Sequence, residues 1–277
     1  MSLRVATNIP SIAAQKTLDS TQRDMEKSFA QLSSGSRITK AADDAAGLSI
    51  SETLKSTIRG YGQAKRNASD AISMVQVSEG GLGEVSNILS RMRELGVQAA
   101  SDTVGDKERG FIDLEVQQMK MEVQRIAQTT RFGSVKLLDG SGGNYQFQVD
   151  INNDDFNDRI TFDAGKQNVQ TGNIGIDSFD FNSKDGARSA LDVLETAQQQ
   201  VNGQRATLGA IQNRLISTQE NLSSSIENFS AANSRIRDTD IAESSANLAR
   251  GQVLQQATIS VLAQANQSTA AALKLVG

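Results

Sequence analysis

The chain has 277 residues, 38% of them hydrophobic and 22% charged, with a formal net charge of −4. It lacks His, Cys and Trp, and Pro10 is its one proline, which removes Ser-His-Asp triads, cysteine nucleophiles, thiolate or imidazole zinc sites and disulfides. The near-neutral balance argues against a nucleic-acid or anionic-membrane partner, since either would need a basic surface.

From about Ser11 to Leu32, the apolar residues Ile12, Leu18, Met25, Phe29 and Leu32 predict an amphipathic helix, closed by Ser33-Ser34-Gly35-Ser36. A longer helix opens after Asp43-Asp44 and runs to about Ser101. In it Leu54, Tyr61, Ala68, Val75, Leu82 and Leu89 recur every seven residues, with Ile58 and Ile72 between them. Residues seven apart keep to one face, so this is a coiled-coil seam. Gly80-Gly81 sits inside it and is expected to weaken it locally, since each glycine costs about 1 kcal/mol against Ala. A third helix, at about 106–129, has the seam Ile112, Val116, Met119, Val123 and Ile126.

The middle changes period. After Gly140-Ser141-Gly142-Gly143, the residues Tyr145, Phe147, Val149 and Ile151 alternate with polar ones. Asp150 to Asp158 reads as a turn, and Ile160 and Phe162 alternate again. That is a β-hairpin; Phe179 and Phe181 suggest a further short extended piece. Beyond it, Leu194, Val201, Leu208, Leu215, Leu222, Phe229 and Ile236 form an unbroken heptad ladder. At 1.5 Å per residue, a helix over 187–236 would be roughly 75 Å long, which implies a rod. A last amphipathic segment carries Leu254, Ala257, Val261, Ala265, Ala272 and Val276. The fold class expected is mainly α: an elongated antiparallel coiled-coil rod with a small β-hairpin insert.

Candidate chemistry has duller readings. Asp150-x-Asn152-x-Asp154 resembles the start of a calcium loop, but Asp155 stands where that loop needs Gly and Thr161 where it needs a bidentate Glu. A hairpin turn is the better reading, and no metal or cofactor is expected. Asp43-Asp44 suits helix N-capping better than a paired acid/base site, because a carboxylate there accepts orphan N–H groups. The sequons at Asn67, Asn221, Asn228 and Asn266 fall inside predicted helices and read as chance matches. The stretch Gly251–Leu273 is uncharged but too rich in Gln, Asn, Ser and Thr to span a bilayer. The start of the chain has no apolar run long enough for a secretory signal peptide, so export is expected by a route that reads no cleavable signal.

Four runs carry a family resemblance: ATNIPSIAAQKTL, LSSGSRITKAADDAAGLSIS, LSRMRELGVQAAS and LARGQVLQQATISVLAQANQ. In this order and near the two ends, they resemble bacterial flagellin over roughly 1–140 and 185–277. The resemblance implies a non-enzymatic subunit that polymerises with itself, and with other flagellins, into the extracellular flagellar filament used for swimming. It further implies export, unfolded, through the flagellar type III machinery, with an export chaperone, the filament cap and hook-junction proteins as partners.

By the family pattern, 1–43 and 237–277 would be terminal helices of the filament's inner core. The rod would be 44–139 with 185–236, and 140–184 would be a short variable region with the hairpin. Leu254, Ala257, Val261, Leu262 and Ala265 are the expected inner-core polymerisation residues. The amphipathic ends have little apolar area for a stable pair of their own, and are expected to order when neighbouring copies bury them. Motif match assigns Arg91, Leu95, Gln98 and Glu122 to protofilament packing and to recognition by an innate Toll-like receptor. Ser90 and Gly96 stand where the family usually has Gln and Ala, which favours packing over receptor binding. A hook–filament junction protein, with similar ends, is the alternative reading. The metalloprotease carried by some flagellins is excluded, since HExxH needs histidine.

Overall fold

A computed structural model describes residues 7–276, with side chains as far as Gln267; the expected apolar positions Ala272 and Val276 lie outside those side chains. The elements run α1 (Ile9–Ser34), α2 (Ala45–Ala99), α3 (Asp106–Thr129), β1 (Arg131–Phe132), β2 (Val135–Lys136), β3 (Asn144–Gln148), β4 (Arg159–Asp163), a 3₁₀ turn (Ala164–Lys166), α4 (Lys184–Arg237) and α5 (Ile241–Val276). The chain is thus mainly α with a small β insert, as the periodicities predict. It divides into two compact units, one of residues 1–56 with 228–277, the other of 57–227.

In the 57–227 unit, the heptad reading holds and gains a second row. Ala68, Val75, Leu82 and Leu89 are buried, and so are Ala64, Ala71, Ser78, Val85, Met92 and Ala99. These rows alternate in steps of four and three. The residues that fill the spaces of the ladder are therefore mostly small, whereas Ile72, expected in that role, is only partly buried. Small residues attract no attention in a hydrophobicity pattern, yet they let helix axes approach closely. On α4, Leu194, Val201, Leu208, Leu215 and Leu222 are buried, extended backwards by Ala187, Ala190 and Ala197. Contacts of Gln198 with Ser90, Arg93 with Glu195 and Gln219 with Ser69 set α2 and α4 antiparallel. On α3, Ile112, Val116, Val123 and Ile126 are buried as expected, with Met119 partly so.

The segment 137–181 completes this core with Leu137, Leu138, Val149, Ile160, Phe162, Val169, Ile176 and Phe181. The predicted hairpin is β3–β4, antiparallel, with Tyr145 opposite Phe162 and Phe147 opposite Ile160. Ile151 does not continue the strand; it lies in the turn, half-exposed. A second hairpin, β1–β2, escaped the sequence because each strand is two residues long, too short to show alternation.

Phe179 and Phe181 form no strand. Their rings stack at 5.5 Å in an irregular segment. The Phe181 N–H donates to the Asp113 carboxylate, and the Phe179 carbonyl accepts from Lys120. Side chains of α3 therefore satisfy the backbone groups that a strand would have paired in a ladder.

Gly80 and Gly81 do not break α2. A Cβ on Gly81 would lie 2.6 Å from Leu138 Cδ1 and 2.9 Å from Thr130 Oγ1, while one on Gly80 would meet nothing within 4 Å. Gly81 is thus where the 130–138 segment closes onto the helix. Gly81→Ala is expected to destabilise by about 1–3 kcal/mol through overpacking. Gly80→Ala is expected to stabilise by about 0.5–1 kcal/mol through helix propensity. Urea unfolding of both variants checks the opposite signs.

In the other unit, α1 is N-capped by Asn8, whose side chain accepts from the Ser11 N–H, and ends at Gly35. The two breaks in this unit, 35–44 and 238–240, are stitched together. Arg37 N–H donates to the Arg237 carbonyl at 2.6 Å, and Thr239 N–H to the Gly35 carbonyl at 3.1 Å. Asp44 caps α2 as expected, accepting from Gly47 N–H at 2.9 Å. Asp240 caps α5 through Ala242 and Glu243. Asp43 instead accepts from the Lys40 and Thr39 backbone N–H groups and the Thr39 hydroxyl. Those bonds, that to Lys40 first, with the Lys27 ammonium adding, lower its pKa to about 2. The acidic pair is structural, each carboxylate holding orphan N–H groups.

Candidate self-assembly surfaces

α1 and α5 pack antiparallel: the Asn8 side-chain amide donates to the Ala265 carbonyl at 3.1 Å, and Met25 lies against Gly251. The inward positions of α1 are Ser11, Ala14, Leu18, Thr21, Met25, Ser28 and Leu32. Those of α5 are Ser244, Leu248, Gly251, Gln255, Thr258, Leu262 and Ala265. Both sets step by three and four, so the pair is a heptad seam built largely from small and polar residues. A Cβ on Gly251 would sit 2.5 Å from Met25 Cγ; only glycine allows the helices this distance. A hollow of about 340 Å³, lined by Asp24, Lys27, Asn247 and Leu254 among others, flanks that contact.

Many of the larger apolar side chains of these helices lie outside the seam. Ile9, Ile12 and Phe29 on α1 are exposed, as are Ile241 and Val253 (67% each), Leu254, Ile259 and Val261 on α5. The five residues expected to drive polymerisation therefore separate. Ala257 and Val261 are exposed outside the seam, Leu254 is half-exposed at its edge where it lines the hollow, and Leu262 is half-buried and Ala265 buried in the seam. Isolated exposed apolar residues need no explanation, but this many on two paired helices mark a surface made to be covered.

In the 57–227 unit, the Arg91 guanidinium bonds Glu94 at 2.8 Å and reaches Glu115 of α3 at 3.4 Å. Glu94 and Glu115 hold it more firmly protonated than usual. Glu122 pairs with Arg125 through two hydrogen bonds, which depress its carboxyl pKa. Arg91 and Gln98 are exposed, but Leu95 is only 3% exposed and belongs to the core. Leu95 thus shapes this surface from beneath.

Sequence reasoning missed a second apolar row on α3: Phe111, Leu114 and Met121, all exposed. Their spacings of three and seven place them on one side of the helix, away from the Ile112–Ile126 seam. The signal was present, since two apolar faces on one helix ask for two partners. Phe156 is 82% exposed in the hairpin turn, where the Asp154 carboxylate accepts from the Phe156 and Asn157 N–H groups. That turn is the stretch with calcium-loop spacing, and its carboxylate is engaged in closing the backbone. Among the described residues no three or more Asp, Glu, His or Cys converge on one point, and no helix is long and apolar enough to cross a membrane.

Paired helices with a seam rich in small and polar residues, and with large apolar side chains exposed outside it, define a helical protein built for assembly. Residues 5–142 match the family described as bacterial flagellin N-terminal helical region, and residues 191–276 match bacterial flagellin C-terminal helical region. A flagellin of Halalkalibacterium halodurans is 40% identical over 269 residues, covering 97% of this chain and 98% of its own. A flagellar filament core protein of Brachyspira hyodysenteriae is 41% identical over 287 residues, covering 98% and 99%. The crystal structure of Bacillus cereus flagellin, 32% identical, superposes with a TM-score of 0.51 over 61% of this chain and 94% of its own. The chain belongs to the bacterial flagellin family. It is a structural, self-polymerising subunit of the flagellar filament, and so extracellular.

Proposed function

We propose that the outward faces of α1 and α5 form the inner core of the filament, with Leu254, Ala257 and Val261 as contact residues and Leu262 and Ala265 holding the pair that presents them. The observation that carries this reading is how apolar residues divide in the pair: a seam in which Ser, Thr, Gly and Ala outnumber Leu and Met, and Ile, Val and Phe exposed on the other faces. Each copy gains little by pairing its own ends and more by burying them against neighbours. The same thin seam supports export of a loose chain through the type III channel without a cleavable signal, with a chaperone covering the ends until assembly at the cap. The rod segments 44–139 and 185–236 would form the next layer, the hook-junction proteins meeting the first subunits. The region 140–184 would form the outer surface.

Arg91, Gln98 and Glu122, backed by Leu95, are assigned to packing between protofilaments, and recognition by a Toll-like receptor would use the same exposed groups. No catalytic role is assigned to any residue.

Val261→Lys tests the inner-core reading. Val261 is 58% exposed and outside the α1–α5 seam, so the monomer's melting curve should match the parent's. In the polymer each copy would bury an unpaired ammonium at a cost of several kcal/mol, and elongation from filament seeds should fail. Leu262→Lys is the contrasting variant, since it should also loosen the pair itself. Normal elongation by Val261→Lys would refute the assignment of this face to the inner core.

A further inference from the structure

Charge divides unevenly between the two paired terminal helices. α1 carries Lys16, Asp19, Arg23, Asp24, Glu26 and Lys27, whereas α5 has Glu243 and Arg250 and then no charged residue from Gly251 to Leu273. The Asn8–Ala265 and Met25–Gly251 contacts lay that uncharged stretch along 8–25 of α1. Steps of three and four place Lys16, Asp19, Arg23 and Glu26 on one side of α1, opposite the seam residues Ala14, Thr21 and Met25, and all four are exposed. Their signs alternate. Yet Lys16, Asp19 and Arg23 make no ion pair or side-chain hydrogen bond, and Glu26 takes only a 3.4 Å bond from Gln22. Among the described residues, the one ion pair of α1 joins Lys27 to Asp43 at 3.3 Å.

The sign pattern repeats every seven residues, about 10.5 Å of helix rise. A parallel copy set level with the first would bring like charges together. One displaced along the axis by half the repeat, about 5 Å, brings the cations against carboxylates. Copies in an open helical polymer are related by such a displacement, because a head-to-tail operation that does not close must advance. The Gly251–Leu273 stretch of a neighbour offers no countercharge, so the complement of this row is the same row on another copy.

We propose that the Lys16–Asp19–Arg23–Glu26 row is a self-complementary electrostatic seam that pairs with the same row of a neighbouring copy and fixes the axial shift between them. This rests on the inner-core reading of the terminal helices, and adds which surface α1 meets and in which register.

The test inverts the row at constant net charge, with Lys16→Glu, Asp19→Lys, Arg23→Glu and Glu26→Lys combined. Alternation within the helix is kept, so the monomer's melting curve should match the parent's. Inverted subunits should elongate seeds sheared from their own filaments at the parent's rate, but parent seeds about tenfold more slowly or worse. Added salt should narrow that gap, and parent subunits should discriminate against inverted seeds in the same way. Equal elongation of both seeds would place the row in solvent and overturn the proposal. So would an inverted protein that melts normally but forms no filaments, since the countercharges would then lie off this row. Should inversion disturb the monomer, a neutralised row decides, with Lys16→Gln, Asp19→Asn, Arg23→Gln and Glu26→Gln combined. Its elongation of parent seeds should be slower and less salt-dependent than the parent's, and an unchanged rate and salt dependence would overturn the proposal. Failure of the inner-core reading itself shows separately, as normal elongation by Val261→Lys.

Discussion

Leu215→Asp is expected to unfold the 57–227 unit or bring it close to unfolding. Leu215 is fully buried in the middle of the α4 ladder, and the register set by Ser69–Gln219 and Ser90–Gln198 brings it opposite the turn of α2 that carries Ala71 and Val75. Removing the isobutyl group alone costs about 2–5 kcal/mol through lost transfer energy and the cavity left behind. The carboxylate adds a burial penalty of several kcal/mol unless it protonates or drags water into the seam. Since a typical domain has about 5–15 kcal/mol in total, far-UV circular dichroism and the thermal midpoint should both fall sharply. Leu215→Ala should give a milder loss of the same sign. Unchanged helicity in Leu215→Asp would mean that the α4 ladder does not face the core.

Arg109→Ala is expected to be the most damaging substitution of a charged residue, at about 3 kcal/mol or more. Arg109 is 6% exposed, and its guanidinium closes the corner between α2 and α3. Nε donates to the Ala99 carbonyl at 2.9 Å, Nη2 to the Ser101 carbonyl at 2.9 Å, and Nη1 to the Asp106 carboxylate at 2.7 Å. The last carbonyls of a helix have no partner within it, and here a cation serves them and offsets the negative end of the helix dipole. Charge-assisted hydrogen bonds contribute about 1.5–3 kcal/mol each, and abandoned buried carbonyls add their own penalty. Arg109→Lys keeps the charge but cannot serve three acceptors with one planar fork, so it should recover part of the stability, not all. Equal stability of the three proteins in urea unfolding would show that solvent serves the corner as well as Arg109 does.

Both predictions rest on burial, but only one of the two residues was visible in advance. Leu215 belongs to a seven-residue repeat, and a repeat of large apolar residues reports burial whatever the partner is. For that reason the helix ladders, the β3–β4 alternation and the Asp44 cap were all legible in the chain. Arg109 and Lys120 belong to no apolar repeat, and nothing local reveals that carbonyls from another segment will accept their hydrogen bonds. For Lys120 the acceptor is the carbonyl of Phe179, 59 residues along, with the Phe179 ring 4.0 Å beneath the ammonium. Burial depresses its pKa against the pull of Asp113, Asp177 and Asp180.

The ends of the chain divide in the same way. Their sequence by itself determined membership of the flagellin family and the amphipathic character of both terminal helices. Hydrophobic periodicity records that a side chain will leave water, not whether its cover comes from the same chain or from another copy. Only the packing of α1 on α5 decided that Ser11, Ala14, Thr21 and Gly251 turn inward while Val253, Ile259 and Val261 turn out. The reason is steric. Small side chains let the two helices approach closely, and many of the large ones are left outside the seam, exposed on the single chain.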